Sequence, residues 1–110
     1  MLKTERMDRV RAALRAQGLT QMIVCDPKSV WYLTGVAVEP YERLLALYLP
    51  TEGEPELFLN RLFNVPEPPC RTVWHTDTDK PVAQIAEVVD AGRPLGIDKE
   101  WPAKFLIPLM

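Results

Sequence analysis

The chain has 110 residues, 47% of them hydrophobic and 25% charged, with a net charge of −2. That length supports one domain with one core rather than two. Its scattered basic residues leave no electrostatic footprint for nucleic acid, and no apolar run approaches the roughly 20 residues needed to span a bilayer.

The first segment, MLKTERMDRVRAALRAQG, is too charged for the apolar core of a signal peptide. Thr4 precedes a helical pattern that runs to about Gln17. Met7, Val10, Leu14 and Ala13 make its apolar stripe, and Arg6, Asp8, Arg9, Arg11 and Arg15 face outward. Gly18 suits the left-handed residue that ends a helix. Met22 to Cys25 then reads as a strand, and its unbroken apolar character predicts burial on both faces. Asp26-Pro27 turns it into a short helical segment, Ser29 to Leu33. Asp26 is placed to cap that segment, Pro27 suits the first helical position, and Gly35 suits the left-handed end.

A loop, VAVEPYE, follows with Pro40, Tyr41 and Glu42. Arg43 to Leu49 and Glu56 to Leu59 are two strands joined by the turn Thr51-Glu52-Gly53-Glu54-Pro55, hence a hairpin. Arg61 to Val65 has the length of one helical turn before the extended connection VPEPPC. Thr72 to His75 is a fourth strand. Asp79 then caps a helix with Pro81 near its start; Val82, Ile85, Ala86 and Val89 recur at helical spacing, and Gly92 ends it. Leu95 to Asp98 is a fifth strand, and Glu100 to Met110 begins a helix that Pro108 limits. This order predicts an α/β domain with a mixed sheet.

Candidate chemistry is sparse. Cys25 and Cys70 have neither metal nor redox spacing, and Cys25, in an apolar strand, is expected as a buried thiol. These cysteines fit a reducing cytoplasm. His75, Asp77 and Asp79 alternate, so on a continued strand they would share one face and resemble a small metal site. They fall instead where a strand turns into a helix, with Asp79 wanted as its cap, and no metal site is assigned. Trp31, Tyr32, Tyr41 and Arg43 are the candidate contact residues, lining either an aromatic pocket or a partner surface. Because Trp31 and Tyr32 are adjacent, one is expected in the core and the other outside. There is no Gly-rich phosphate loop, no nucleophile elbow and no paired histidines. Catalytic residues are therefore expected to be none.

The landmarks in series are specific. An arginine-rich helix, Gly18-Leu19, an apolar strand, Asp26-Pro27 and Tyr32-Leu33-Thr34-Gly35 come first. Glu42-Arg43, the TEGEPELFL hairpin, Asp77-Thr78-Asp79 and Leu95-Gly96-Ile97-Asp98 follow. In this order the chain resembles the N-terminal domain of the creatinase/prolidase family over nearly its whole length.

The resemblance implies a noncatalytic, three-layer α/β/α domain with a mixed sheet of about five strands, ribonuclease H-like in fold. In that family, peptidase chemistry resides in a C-terminal pita-bread domain, where two Asp, one His and two Glu hold two divalent metal ions, manganese or cobalt. That domain and its metals lie outside residues 1–110, and the apolar close FLIPLM raises the expectation that the native chain continues. The implied partners are the chain's own catalytic domain, a second subunit of a homodimer, and a peptide substrate, with no nucleic acid and no membrane. By position, the loop from Gly35 to Arg43 would approach the neighbour's active site, where Arg43 either holds a substrate carboxylate or is a surface arginine flanking a strand. The implied parent is a cytoplasmic Xaa-Pro dipeptidase or aminopeptidase. An interaction module from an inactive family member, and the same domain of a creatinase-like amidinohydrolase, stand as alternatives.

Overall fold

In the computed structural model, residues 3–40, 43–76 and 78–98 are described. The elements run α1 (Thr4–Ala16), β1 (Gln21–Val24), α2 (Pro27–Thr34), β2 (Ala46–Pro50), β3 (Glu56–Asn60), β4 (Arg71–His75), α3 (Pro81–Val88) and β5 (Gly96–Ile97). The strands form one mixed sheet in the order β4-β3-β2-β1-β5. β2 is antiparallel to both β1 and β3, whereas β4 runs parallel to β3 and β5 parallel to β1.

Side chains of successive strand residues point to opposite faces, and that alternation sorts the core into two halves. Val24, Leu47, Leu49, Leu57 and Leu59 face Met7 of α1 and Val30 and Leu33 of α2. Ile23, Cys25, Ala46, Tyr48 and Phe58 face Ile85 of α3. The result is three layers, with two helices on one side of the sheet and one on the other. Continuous burial of Ala46 to Leu49 follows from being covered twice.

The expected order of elements is present, with local differences. The second strand starts at Ala46 rather than Arg43. Arg43 N–H instead closes a turn onto the Pro40 carbonyl at 2.9 Å. Leu44 and Leu45 are buried in opposite halves of the core just before the ladder begins. Residues 61–65 make a hydrogen-bonded turn and no helix: Leu62 N–H donates to Asn60 Oδ1 and Phe63 N–H to Asn60 O, both at 2.9 Å. That turn, with the proline-rich stretch, carries the chain from β3 to the parallel β4.

Ala13 and Ala86, placed on apolar stripes by spacing, are exposed. Two more polar expectations fail locally. Neither Asp26 nor Asp79 makes a side-chain cap bond to its helix. Asp79 Oδ2 accepts from Thr76 N–H at 2.8 Å, which closes the turn before α3. That helix stops at Val88 rather than near Gly92. Gly18 and Gly35 do take the left-handed conformation, at φ 75° and 79°, where a Cβ would be strained. The expected helix within residues 100–110 lies outside the described residues.

The outward arginines of α1 are less free than their spacing implied. Arg11 Nε donates to the Pro50 carbonyl and its Nη2 to the Gly53 carbonyl, both at 2.9 Å, while Arg15 Nη2 donates to Thr51 O at 2.7 Å. Charged donors thus hold the β2–β3 turn against α1.

Phe58 is fully buried at the centre of the α3-side core. Phe58→Ala is expected to lower the unfolding free energy by about 3–5 kcal/mol, whereas Ala86→Ser on the exposed side of α3 stays within about 0.5 kcal/mol. Urea denaturation of the two variants checks this division; equal losses would contradict it.

Candidate functional site

The exposed face of α2 and the loop after it form the candidate site. Pro27 begins the helix, and the Val30 amide donates to the Asp26 carbonyl at 2.9 Å. The Asp26 carboxylate accepts from the Ser29 hydroxyl at 2.8 Å. At the other end Gly35 N–H donates to Trp31 O at 2.8 Å, and Thr34 Oγ1 both donates to Val30 O at 2.6 Å and accepts from Val36 N–H at 3.1 Å. The helix is therefore closed by its own local bonds at the C-terminal end.

Val30, Leu33 and Thr34 are buried, while Trp31 is 52% exposed and Tyr32 45% exposed. The expectation that one of the adjacent aromatics is core is therefore corrected: both stand outside. Consecutive helical residues are about 100° apart, and the buried positions 30, 33 and 34 leave an outward arc wide enough for both. Tyr32 lies under Arg6 of α1, whose guanidinium carbon is 4.3 Å from the ring centroid. Arg6 Nη1 also donates to the Tyr32 carbonyl at 2.8 Å. A cation over a ring face is a favourable contact, and here it fastens the C-terminal half of α2 to α1. Lys3 N–H adds a bond to Leu33 O at 3.0 Å.

Trp31 forms one wall of an open groove of about 380 Å³, with Pro27, Lys28, Ala37, Val38 and Glu39. Its lining combines an indole and small apolar groups with one cation and one anion. Such a surface suits a peptide backbone or another protein surface better than a phosphate or metal ion. Arg43 is half-buried at the far end of the same loop. Tyr41 lies outside the described residues.

The remaining candidates separate. His75 is buried at the end of β4, Asp79 is exposed and bonded in its turn, and Asp77 lies outside the described residues. Among the described residues, no group of three or more His, Cys, Asp or Glu side chains is placed to hold a metal ion. Burial, and then the nearby Asp98 charge, push the Cys25 thiol far above its usual range. Burial also raises Cys70, opposed by a backbone hydrogen bond at Leu57 and aided by Glu56 and Glu54, to about 11.

Two residues with organising roles were missed by pattern reading. Gln21 is buried, and its Nε2 donates to Asp90 O at 2.8 Å and Arg93 O at 3.1 Å. Its Oε1 accepts from Asp90 N–H at 2.8 Å and from the Tyr48 hydroxyl at 2.9 Å. Burial, then Asp90 and Glu56, raise the Tyr48 hydroxyl's pKa, keeping it a donor. Asp98 accepts backbone N–H bonds from Cys25 and Asp26 where β1 turns into α2. A polar residue opening an apolar strand was a signal for Gln21; nothing local marked Asp98.

A three-layer α/β domain with a mixed five-stranded sheet and a presented aromatic helix is the class defined so far. The family model for the Creatinase/Prolidase N-terminal domain matches residues 6–109, and the chain belongs to that family. A prolidase from Thermococcus sibiricus superposes with a TM-score of 0.80 at 26% identity, covering 98% of this chain and 31% of its own. Dipeptidase PepE from Mycobacterium ulcerans is similar to the same degree, with a TM-score of 0.80, 26% identity, 96% of this chain and 31% of its own. The N-terminal domain of an X-PRO dipeptidase from Streptococcus pyogenes shares the fold, at a TM-score of 0.79 and 22% identity over 96% of this chain and 85% of that one. In sequence, 50 residues are 40% identical to the Bacillus subtilis protein named "Putative dipeptidase YkvY", a match spanning 46% of this chain and 14% of that protein. Among the described residues no helix is long and apolar enough to cross a membrane.

Thiol chemistry gives a direct check of the cysteine environments. A raised pKa means less thiolate at a given pH, so Cys70 at about 11 carries about a hundredfold less thiolate at pH 8 than a thiol at 9. Its labelling by an aromatic disulfide is expected to be slow at pH 8 and to climb about tenfold per pH unit toward pH 10. Cys25 should react only on unfolding. Fast native-state labelling of Cys25 would contradict the buried strand end.

Proposed function

We propose that this domain is the noncatalytic N-terminal part of a metal-dependent Xaa-Pro dipeptidase or aminopeptidase of the cytoplasm, acting in subunit association and access to the active site. Family membership over residues 6–109 is the observation that carries this reading. The named relatives with known structures are a prolidase and dipeptidases, and two of them are about three times as long as the matched region. The described residues do not fit a metal centre. On this reading two divalent ions, manganese or cobalt, belong to a separate C-terminal domain, and no catalytic step is attributed to residues of this chain.

Within that reading the groove beside Trp31 and the loop from Gly35 to Arg43 face a second subunit. Trp31 offers an apolar plate and a single N–H donor, which suits a surface that meets peptide and protein alike. Lys28 and Glu39 on the same groove favour a zwitterionic or mixed-charge partner over a strongly acidic or basic one. Arg43 is assigned to the carboxylate of a short peptide substrate, whose planar geometry its guanidinium matches.

The test uses the full-length protein encoded with this domain. Hydrolysis of Xaa-Pro dipeptides is expected with manganese or cobalt, to be abolished by a chelator, and to be absent from residues 1–110 alone. Trp31→Ala should raise KM or weaken subunit association by on the order of tenfold, the ~1.4 kcal/mol scale of one well-placed aromatic contact, with little loss of folding stability. A full-length protein that cleaves no Xaa-Pro peptide with any divalent metal would overturn the peptidase assignment and leave an interaction module.

A further inference from the structure

The start of α2 is held by a residue 72 positions away in the chain. Asp26 occupies the helix N-cap position, yet its side chain makes no cap bond and is taken up by the Ser29 hydroxyl. The two backbone N–H groups at this junction, of Cys25 and Asp26, are instead received by the carboxylate of Asp98. Cys25 N lies 3.1 Å from Oδ1 and 3.0 Å from Oδ2, and Asp26 N lies 2.7 Å from Oδ2. Backbone pairing between β1 and β5 ends at Ile23 and Ile97. The Asp98 side chain therefore carries the join between these strands one step further, as charge-assisted bonds to the first residues of the turn.

α2 is thus tethered at two ends by different parts of the chain. Lys3 and Arg6 hold its C-terminal half through Leu33 O, Tyr32 O and the Tyr32 ring. Asp98 holds the junction immediately before Pro27, the first residue of both the helix and the Trp31 groove. An eight-residue helix has little stability of its own, so its placement depends on these tethers and on the burial of Val30 and Leu33. We propose that Asp98 is the positioning residue for α2: its carboxylate sets where the helix begins, and through that the stance of Lys28 and Trp31 on the groove. The structural part of this inference is independent of the reaction; its catalytic consequence rests on the peptidase reading above.

The experiment compares Asp98→Ala and Asp98→Asn with the parent and with Asp8→Asn, a control on α1 whose carboxylate is largely exposed. Full-length protein is labelled with 5-fluorotryptophan, and the Trp31 fluorine line is assigned by Trp31→Phe. Hydrogen exchange is followed by mass spectrometry in the same samples. In Asp98→Ala, exchange across residues 25–29 is expected to accelerate about tenfold or more while β2 and β3 keep their protection. The Trp31 line should shift or broaden while the Trp74 line stays in place. Asp98→Asn, whose amide oxygen still accepts a bond, should fall between parent and Asp98→Ala, and the control should match the parent. An unmoved Trp31 line in both variants, or acceleration in β2 and β3 equal to that in residues 25–29, would overturn the proposal. The second outcome would make Asp98 a general stabiliser of the fold. Should the parent hydrolyse Xaa-Pro peptides, Asp98→Ala should raise KM several-fold with kcat within about twofold, and an equal loss in kcat with KM unchanged would count against positioning. A parent without hydrolysis would defeat the peptidase assignment alone, because the fluorine and exchange readouts still decide the role of Asp98.

Discussion

The two-faced burial of β2 is the constraint on which the rest of the domain depends. Leu47 and Leu49 enter one half of the core and Ala46 and Tyr48 the other, in a strand paired on both edges. Its neighbours repeat the division, with Val24 against Ile23 in β1 and Leu57 and Leu59 against Phe58 in β3. Slipping any of these strands by one residue would exchange its two faces. On one side the exchange would meet α1 and α2; on the other it would meet α3 and drive Tyr48 from Gln21. Register, helix placement and the Gln21 contacts therefore stand or fall together.

Around that sheet, polar side chains do much of the long-range joining. Arg11 and Arg15 bind carbonyls of the β2–β3 turn, Gln21 ties β1 to the segment at Asp90 and Arg93, and Asp98 ties β5 to the start of α2. Each of these bonds goes to a backbone group of a turn or a strand end and joins segments far apart in the chain. The Glu56–Arg71 pair at 3.1 Å, by contrast, adds little to stability, because Arg71 is largely in solvent. The same separation explains the surface of α2. Burial of Val30 and Leu33 secures the helix, which leaves Trp31 and Tyr32 outside for contact without loss of the core.

Membership in the creatinase/prolidase N-terminal domain family accounts for the sheet order and layers, but function resides in sites rather than folds. Among the described residues, the surface beside α2 carries a groove with an indole wall and mixed charge.

Much of the architecture was legible in the residues because its signals are local. Apolar alternation and runs marked β1 to β4, Pro27 and Pro81 marked helix starts, and Gly18 and Gly35 marked left-handed ends. Asp26 and Asp79 had the right chemistry for caps, yet Ser29 and the Thr76 amide claimed their carboxylates. Trp31 and Tyr32 were legible as candidates, but not as a pair exposed together, because that depends on the width of the face α2 buries. Ala13 and Ala86 fell outside their expected stripes because small side chains satisfy either side of a helix boundary. The sequence by itself determined the alternation of helices and strands, the turn positions and the aromatic segment, since period, proline and glycine act within a few residues. Only the tertiary structure decided the strand order, the outward stance of both aromatics, and the anchoring of α2 by Asp98. Those depend on contacts between elements well separated in the chain, from the 26 positions between Arg6 and Tyr32 to the 72 between Asp26 and Asp98, for which no nearby residue carries a sign.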